Sequence, residues 1–188
     1  NVKICLLCFD ISNNSLGRAA LLANALSSHH DVTIIGTSKN EDIWYPMRNI
    51  QVPIQIFSWR RYPAFILTIF KMLREMDADI YIACKLRPTS FGIALLKKWL
   101  SGSPVLLDID DWEAGFYYHS NFWGRVGRFL NFSNPNGLPY TWLMEKLVGF
   151  ADSIIVSNRF LQDRFTGFMI RHCRDTTVLN PDNFDPHK

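Results

Sequence analysis

The stretch "VLLDIDDWE", Val105 to Glu113, runs an apolar segment straight into Asp108, Asp110, Asp111 and Glu113, with Trp112 among them. Carboxylates at that density can hold the hydroxyls of a sugar, with the indole stacking on the ring. One of them can also serve as general base toward an acceptor hydroxyl. The plainer account is capping and turn bonding by aspartates. Left unpaired, such carboxylates raise one another's pKa. A second candidate group is Lys85 and Arg87, just ahead of Pro88 in "ACKLRP". Two cations at the end of a strand suit a phosphate or pyrophosphate, against the alternative of a solvated pair. A third is "NNSLGR", where Ser15, Gly17 and Arg18 open a helix. The free N–H groups and positive dipole end there can seat a phosphate or a sugar hydroxyl, or Ser15 can simply act as N-cap.

These groups need elements to position them. "VKICLLCFD" (Val2–Asp10) is an almost unbroken apolar run, the pattern of a strand buried on both faces. Leu16, Ala19, Ala20, Ala23 and Leu26 follow at helical spacing, and "HHDVTIIG" (His29–Gly36) is a second strand. Together they make a βαβ unit. Further strands are expected at Val52–Phe57, Ala78–Ala83, "SPVLLDI", Ala151–Ser157 and Thr176–Asn180. Helices are expected in "RYPAFILTIFKMLREM", from Pro88, over Leu138–Gly149 and over Asn158–Phe165. The alternation predicts an α/β fold with a doubly wound, mostly parallel Rossmann-like sheet, as one domain over residues 1–188. In such sheets ligands bind beyond the carboxyl ends of the strands. The loops to inspect are therefore Asp10–Arg18, Cys84–Thr89, Asp108–Glu113 and the turn at Ser157 and Asn158.

Composition narrows the classes. The net charge of +3 is mild and the basic residues are scattered, which argues against a nucleic-acid partner. Cys5 and Cys8 read as C-x-x-C, but residues three apart on a strand face opposite ways, so two buried small hydrophobes are expected. That usage suits a reducing, cytoplasmic compartment. No apolar run approaches the ~20 residues of a membrane-spanning helix. Neither G-x-G-x-x-G nor G-x-x-x-x-G-K-[ST] is present. The segment "GFYYHSNFWGRVGRFLNFSNPNGLPYTWLMEK" is rich in aromatic residues. Trp123, Val126, Phe129 and Leu130 follow helical spacing with Arg125 and Arg128 opposite. Such a helix suits the inner face of a membrane or a lipid-linked acceptor, or serves as a cover on the sheet or on a missing domain. His119 in this segment is read as structural.

Several stretches in order resemble the N-terminal domain of a GT-B fold, retaining glycosyltransferase of family four. "VKICLLCFDISNNSLGRAALLANALSSHHDVTIIG" resembles the opening strand, glycine loop, helix and second strand. "DADIYIACKLRPTSFGIALLKKWLSGSPVLLDIDDWE" resembles the D-x-x-H-x-H strand, a helix and a strand ending in H-D. "FADSIIVSNRFLQDRF" and "TTVLNPDNFDP" resemble the two closing motifs. The departures are Leu16 where a second glycine is usual, Ile82 and Cys84 at the H-x-H positions, Asp110 at the late histidine, and Asp182 at a glycine.

The resemblance implies a two-domain enzyme that moves a sugar from a nucleotide sugar, such as a UDP-sugar, to a glycan or lipid-linked acceptor in polysaccharide biosynthesis. It implies no cofactor and no metal. The C-terminal nucleotide-sugar domain, with its E-x7-E motif, is missing from this sequence, and the chain alone is expected to be inactive. Asp110 and Asp111 take the catalytic role, Asp110 as base. Gly17, Arg18, Lys85, Arg87, Asp108, Trp112, Glu113, Ser157 and Asn158 take the substrate-binding roles. Two other classes remain open. The hhhh-D-x-D pattern also fits a magnesium-dependent, haloacid-dehalogenase-like phosphohydrolase with Asp108 as nucleophile and Asp110 as acid–base. A non-catalytic carbohydrate-binding module is the third.

Overall fold

A computed structural model describes residues 1–118 and 122–171 of the chain. Seven strands form one sheet: β1 (Lys3–Cys8), β2 (Asp31–Ser38), β3 (Ile54–Ser58), β4 (Ile80–Cys84), β5 (Val105–Ile109), β6 (Ser153–Val156) and β7 (Phe168–Met169). Their order is β3-β2-β1-β4-β5-β6-β7, and every pairing is parallel. The chain winds outward from β1 in one direction and, after crossing over, from β4 in the other. The switch point therefore lies between β1 and β4, where the carboxyl-end loops part to leave a crevice. Register aligns Gly36, Cys8, Cys84 and Asp108 in one row across β2, β1, β4 and β5. Asp108 thus stands on the same level as the strand ends that border the crevice.

Helices cover both faces. On one, α1 (Ser15–Ser27) packs Leu16, Ala19 and Ala23 against Ile4, Leu6, Cys8, Val32 and Ile34. On the other, α2 (Phe65–Glu75), α3 (Ile93–Ser101), α6 (Leu138–Leu147) and α7 (Arg159–Phe165) close over Cys5, Leu7, Tyr81, Val105, Leu107 and Ile109. Cys5 and Cys8 belong to opposite cores, as strand alternation requires. Burial pushes their thiols up to about 12 and about 11, so neither is a reactive thiolate at neutral pH.

Most boundaries fall within a few residues of the sequence pattern. Pro88 does begin a helical segment, but its first turn, Pro88–Gly92, is wide, and α3 proper starts at Ile93. The aromatic segment folds as two short helices, α4 (Gly115–Tyr118) and α5 (Phe122–Phe129), ahead of α6. β7 was not expected: "GFM" has too few residues for a periodicity, and it pairs only because α7 returns it to β6. The expected strand at Thr176–Asn180, His119, Cys173 and Asp182 lie outside the described residues. No helix among the described residues is long and apolar enough to cross a membrane.

Gly36 marks how tightly the row is packed. A Cβ there would collide with the Cys8 carbonyl and lie 2.8 Å from Ile11 Cγ1. Because backbone cannot yield as a side-chain tip does, Gly36→Ala is expected to cost about 1–3 kcal/mol. Chemical denaturation would read this as a lower midpoint with an unchanged slope.

Candidate functional site at the carboxyl edge of the sheet

The four carboxylates of the β5 loop do not face solvent together. Asp108, still on the strand, points to the α1 side and is 1% exposed. Its Oδ2 accepts from Arg18 Nε at 2.6 Å and its Oδ1 from Arg18 Nη2 at 2.6 Å. Arg18 also donates to the Ile170 carbonyl at 3.2 Å. Burial disfavours the guanidinium charge, but the bonds to Asp108 outweigh that and raise its pKa. Arg18 and Asp108 therefore serve each other, tying α1 to β5. A phosphohydrolase nucleophile must reach an incoming phosphorus, and the Asp108 oxygens are buried and committed.

Beyond the strand, Asp110, Asp111 and Glu113 gather around one ammonium. Lys85 Nζ lies 3.1 Å from Asp110 Oδ1, 2.6 Å from Asp111 Oδ2 and 3.3 Å from Glu113 Oε1. This geometry depends on an unusual backbone. Lys85 has φ of +73°, a left-handed conformation that costs a non-glycine residue of the order of 1 kcal/mol. It is held there by its N–H donating to the Asp108 carbonyl at 2.8 Å and by its carbonyl accepting from Ser90 Oγ at 2.7 Å. Burial by itself would lower the Lys85 pKa. The charges of Asp110 and Glu113 and the bond to Asp111 more than offset it, raising the pKa above the lysine value of 10.5.

The stability Lys85 contributes is therefore complete below pH 10.5 and is lost as the pH climbs beyond it. A Lys85→Met variant should melt below wild type by a constant margin from pH 7 to about 10. That margin should shrink at higher pH. A margin that shrinks already at pH 8 would rule out this account of the site.

Arg87 completes the network. It pairs with Glu113 and donates through Nη1 to the Tyr117 hydroxyl at 2.8 Å, the Asn136 carbonyl at 3.1 Å and Thr141 Oγ1 at 3.2 Å. Its guanidinium also lies over the rings of Phe9 and Tyr117. Lys85 and Arg87, read from the sequence as cations for a phosphate or as a solvated pair, are matched here by the carboxylates of the neighbouring loop. The three-carboxylate cluster has metal-ligand proximity, but the Lys85 ammonium stands within ion-pair distance of all three groups. It supplies the positive charge that a divalent cation would otherwise bring.

Asp110 is the exception within the cluster. Its Oδ1 is buried and receives no hydrogen bond among the described residues, since the nearby ammonium is directed to Asp111. Ser157 Oγ donates to the Asp110 carbonyl at 2.8 Å and fixes that backbone, while Asn158 Oδ1 accepts from Leu161 N at 3.0 Å to cap α7. Asp110, Asp111, Trp112 and Asn158 line one open hollow of about 280 Å3, together with Phe116 and Phe160. Trp112 is anchored by its indole N–H donating to Glu145 at 2.7 Å and by Arg164 over its ring. Phe116 and Phe160, both 58% exposed, are the residues that sequence reasoning missed. Phe160 sits three places after the strand-end serine, a position within reach of that loop, but nothing local marks it.

The first loop is closed on itself. Asp10 accepts from Ser12 and Asn13, Asn13 Oδ1 accepts from Ser15 N, and Gly17 N donates to the Asn14 carbonyl. Ser15 is the first residue of α1, and its hydroxyl turns back to the Asp10 carbonyl. A Cβ on Gly17 would lie 3.2 Å from the ring of Trp44, so this glycine makes room for an indole.

No family model matches the sequence, and no curated protein matches it significantly. Solved structures do share the fold. One is UGT73P12 of Glycyrrhiza uralensis complexed with glycyrrhetinic acid 3-O-monoglucuronide. It matches at TM-score 0.56 and 11% identity over 96% of this chain and 50% of that one. Another is LpCGTa in complex with UDP, at TM-score 0.50 and 14% identity over 88% and 49%. A third is UGT89C1 of Arabidopsis thaliana complexed with UDP, at TM-score 0.50 and 10% identity over 91% and 50%. The chain spans about half the length of these structures. At such identity the likeness is one of fold: a parallel Rossmann-like sheet of the kind found in GT-B glycosyltransferases.

Proposed function

We propose that this chain is the acceptor-binding, N-terminal domain of a glycosyltransferase that moves a sugar from a nucleotide sugar to a glycan or lipid-linked acceptor. A second domain of the same protein would bind the donor. The observation that carries this reading is the pairing of Asp110 with the hollow beside it. Asp110, its Oδ1 buried 3.1 Å from the Lys85 ammonium and without a hydrogen bond, stands at the carboxyl edge of β5 and lines an open cleft with two aromatic walls and the polar groups of Asp111 and Asn158. Sugars are bound by that combination: apolar faces stack on rings, and carboxylates and amides take the hydroxyls. Asp110 then receives the hydrogen bond of the acceptor hydroxyl, and Lys85, 3.1 Å away, holds the carboxylate in place.

Donor release is the test. The full-length protein should liberate nucleotide from one member of a panel of nucleotide sugars when an acceptor is present, and a chain of these residues alone should not. The anomeric coupling of the product, read by NMR, then assigns the stereochemistry. The family-four resemblance favours retention, in which Asp110 orients the hydroxyl. Inversion would fit Asp110 as the base of a direct displacement. Magnesium-dependent phosphate release by the isolated chain would overturn the transferase reading in favour of a phosphohydrolase.

A further inference from the structure

The outer surface of α2 and the turn that follows α5 carry more apolar side chain than one domain needs. On α2, Phe65, Thr68 and Met72 face the core, while Ile66, Leu67 and Phe70 face out, the last two 65% and 66% exposed. The chain after α5 lies beside them: Tyr62 N donates to the Ser133 carbonyl at 2.8 Å, and Arg61 Nη1 to Ser133 Oγ at 3.2 Å. This brings Leu130 and Phe132, both exposed, to the start of α2. Behind this crest runs an apolar groove of about 190 Å3 between α2, α3 and α6, which Ile69, Leu96 and Leu143 help to line. At its foot lies a hollow of about 240 Å3 lined by Arg60, Lys71, Leu67 and Ser58. Among the described residues Arg60, Lys71 and Arg74 make no ion pair, whereas Lys85, Arg87, Lys98 and Arg164 are all paired.

We infer that this face docks on an anionic lipid surface. The crest of Ile66, Leu67, Phe70, Leu130 and Phe132 enters the boundary between headgroups and acyl chains. Arg60 and Lys71, in the hollow at its base, meet the lipid phosphates. The charge pattern selects this occupant over a second copy of the chain. A protein interface is depleted of lysine at its core and matches its cations with carboxylates. Here the cations flank the apolar crest and make no ion pair among the described residues, the one carboxylate beside the hollow, Glu41, being engaged by the Ser58 hydroxyl at 3.1 Å; this is the arrangement of an interfacial helix. The crest also begins beside the carboxyl edge of the sheet, since α2 starts soon after the end of β3. Docking there holds the cleft of the proposed acceptor site close to the membrane plane, but the inference stands on the surface alone.

Vesicle flotation tests it directly, without any turnover. The protein should float with vesicles of phosphatidylcholine mixed with phosphatidylglycerol, and much less with phosphatidylcholine alone. Leu67→Asp with Phe70→Asp removes the crest, and Arg60→Ala with Lys71→Ala removes the cations. Each pair should lower partitioning about tenfold or more, with an unchanged circular dichroism spectrum. No flotation with the anionic vesicles overturns the inference, and so does flotation indifferent to both pairs. A concentration-dependent dimer in sedimentation velocity that Phe70→Asp abolishes would assign the face to a second copy instead.

Discussion

Under the proposed transfer, replacing Asp110 with Asn in the full-length protein should lower kcat about 100- to 10,000-fold, the range that a positioned proton acceptor contributes. The change keeps the shape of the side chain and removes its charge. Lys85 retains Asp111 and Glu113 as partners at 2.6 and 3.3 Å, so the loop has no reason to unfold. The backbone is held independently by Ser157, which bonds the Asp110 carbonyl and not its side chain. The expected signature is therefore a collapse of turnover with a melting temperature close to that of wild type. Asp111→Asn should be milder, because Asp111 is half exposed and already saturated by Lys85. Near-normal turnover by the Asp110 variant would remove that residue from the reaction.

The second large effect is on stability. Arg18→Ala leaves the Asp108 carboxylate buried at 1% exposure without its two guanidinium bonds. Removing one partner of a buried ion pair costs about 3–5 kcal/mol, because the remaining charge must stay desolvated without its guanidinium. For a chain of this size that corresponds to a fall of roughly 10 °C in melting temperature. Joint replacement, Arg18→Met with Asp108→Leu, should recover most of the loss, since an apolar pair of similar volume carries no such penalty. A single variant as stable as wild type would mean that water reaches Asp108 in solution.

The contrast between these two aspartates shows what could be read in advance. The sheet was legible because each strand is an apolar run long enough to be buried on both faces, and α1 because its small residues recur at helical spacing. The position of the acidic loop followed from topology, since β5 ends where a doubly wound sheet binds ligands. The partners within it did not. Whether Lys85 meets a phosphate or a carboxylate depends on a left-handed backbone at a lysine, and nothing in "ACKLRP" signals φ of +73°. Asp108 and Asp110 are only two residues apart, the first on β5 and the second just past its end. One meets Arg18, 90 positions earlier in the chain, and the other meets Lys85. Long-range pairings of that kind have no periodicity to betray them. The same holds for Phe116 and Phe160, which flank the cleft from separate helices.

The ion-pair network also sets the electrical character of the cleft. Asp108, Asp110, Asp111 and Glu113 face Arg18, Lys85 and Arg87, so the network holds one more acidic group than basic ones. A neutral sugar alcohol meets no barrier at such a surface. A diphosphate, carrying two or more negative charges, would be disfavoured there and would need its countercharge from another part of the proposed enzyme. In the proposed transfer reaction the two substrates would thus be sorted by sign before either is recognised by shape, with this chain presenting the pole that disfavours the anionic one.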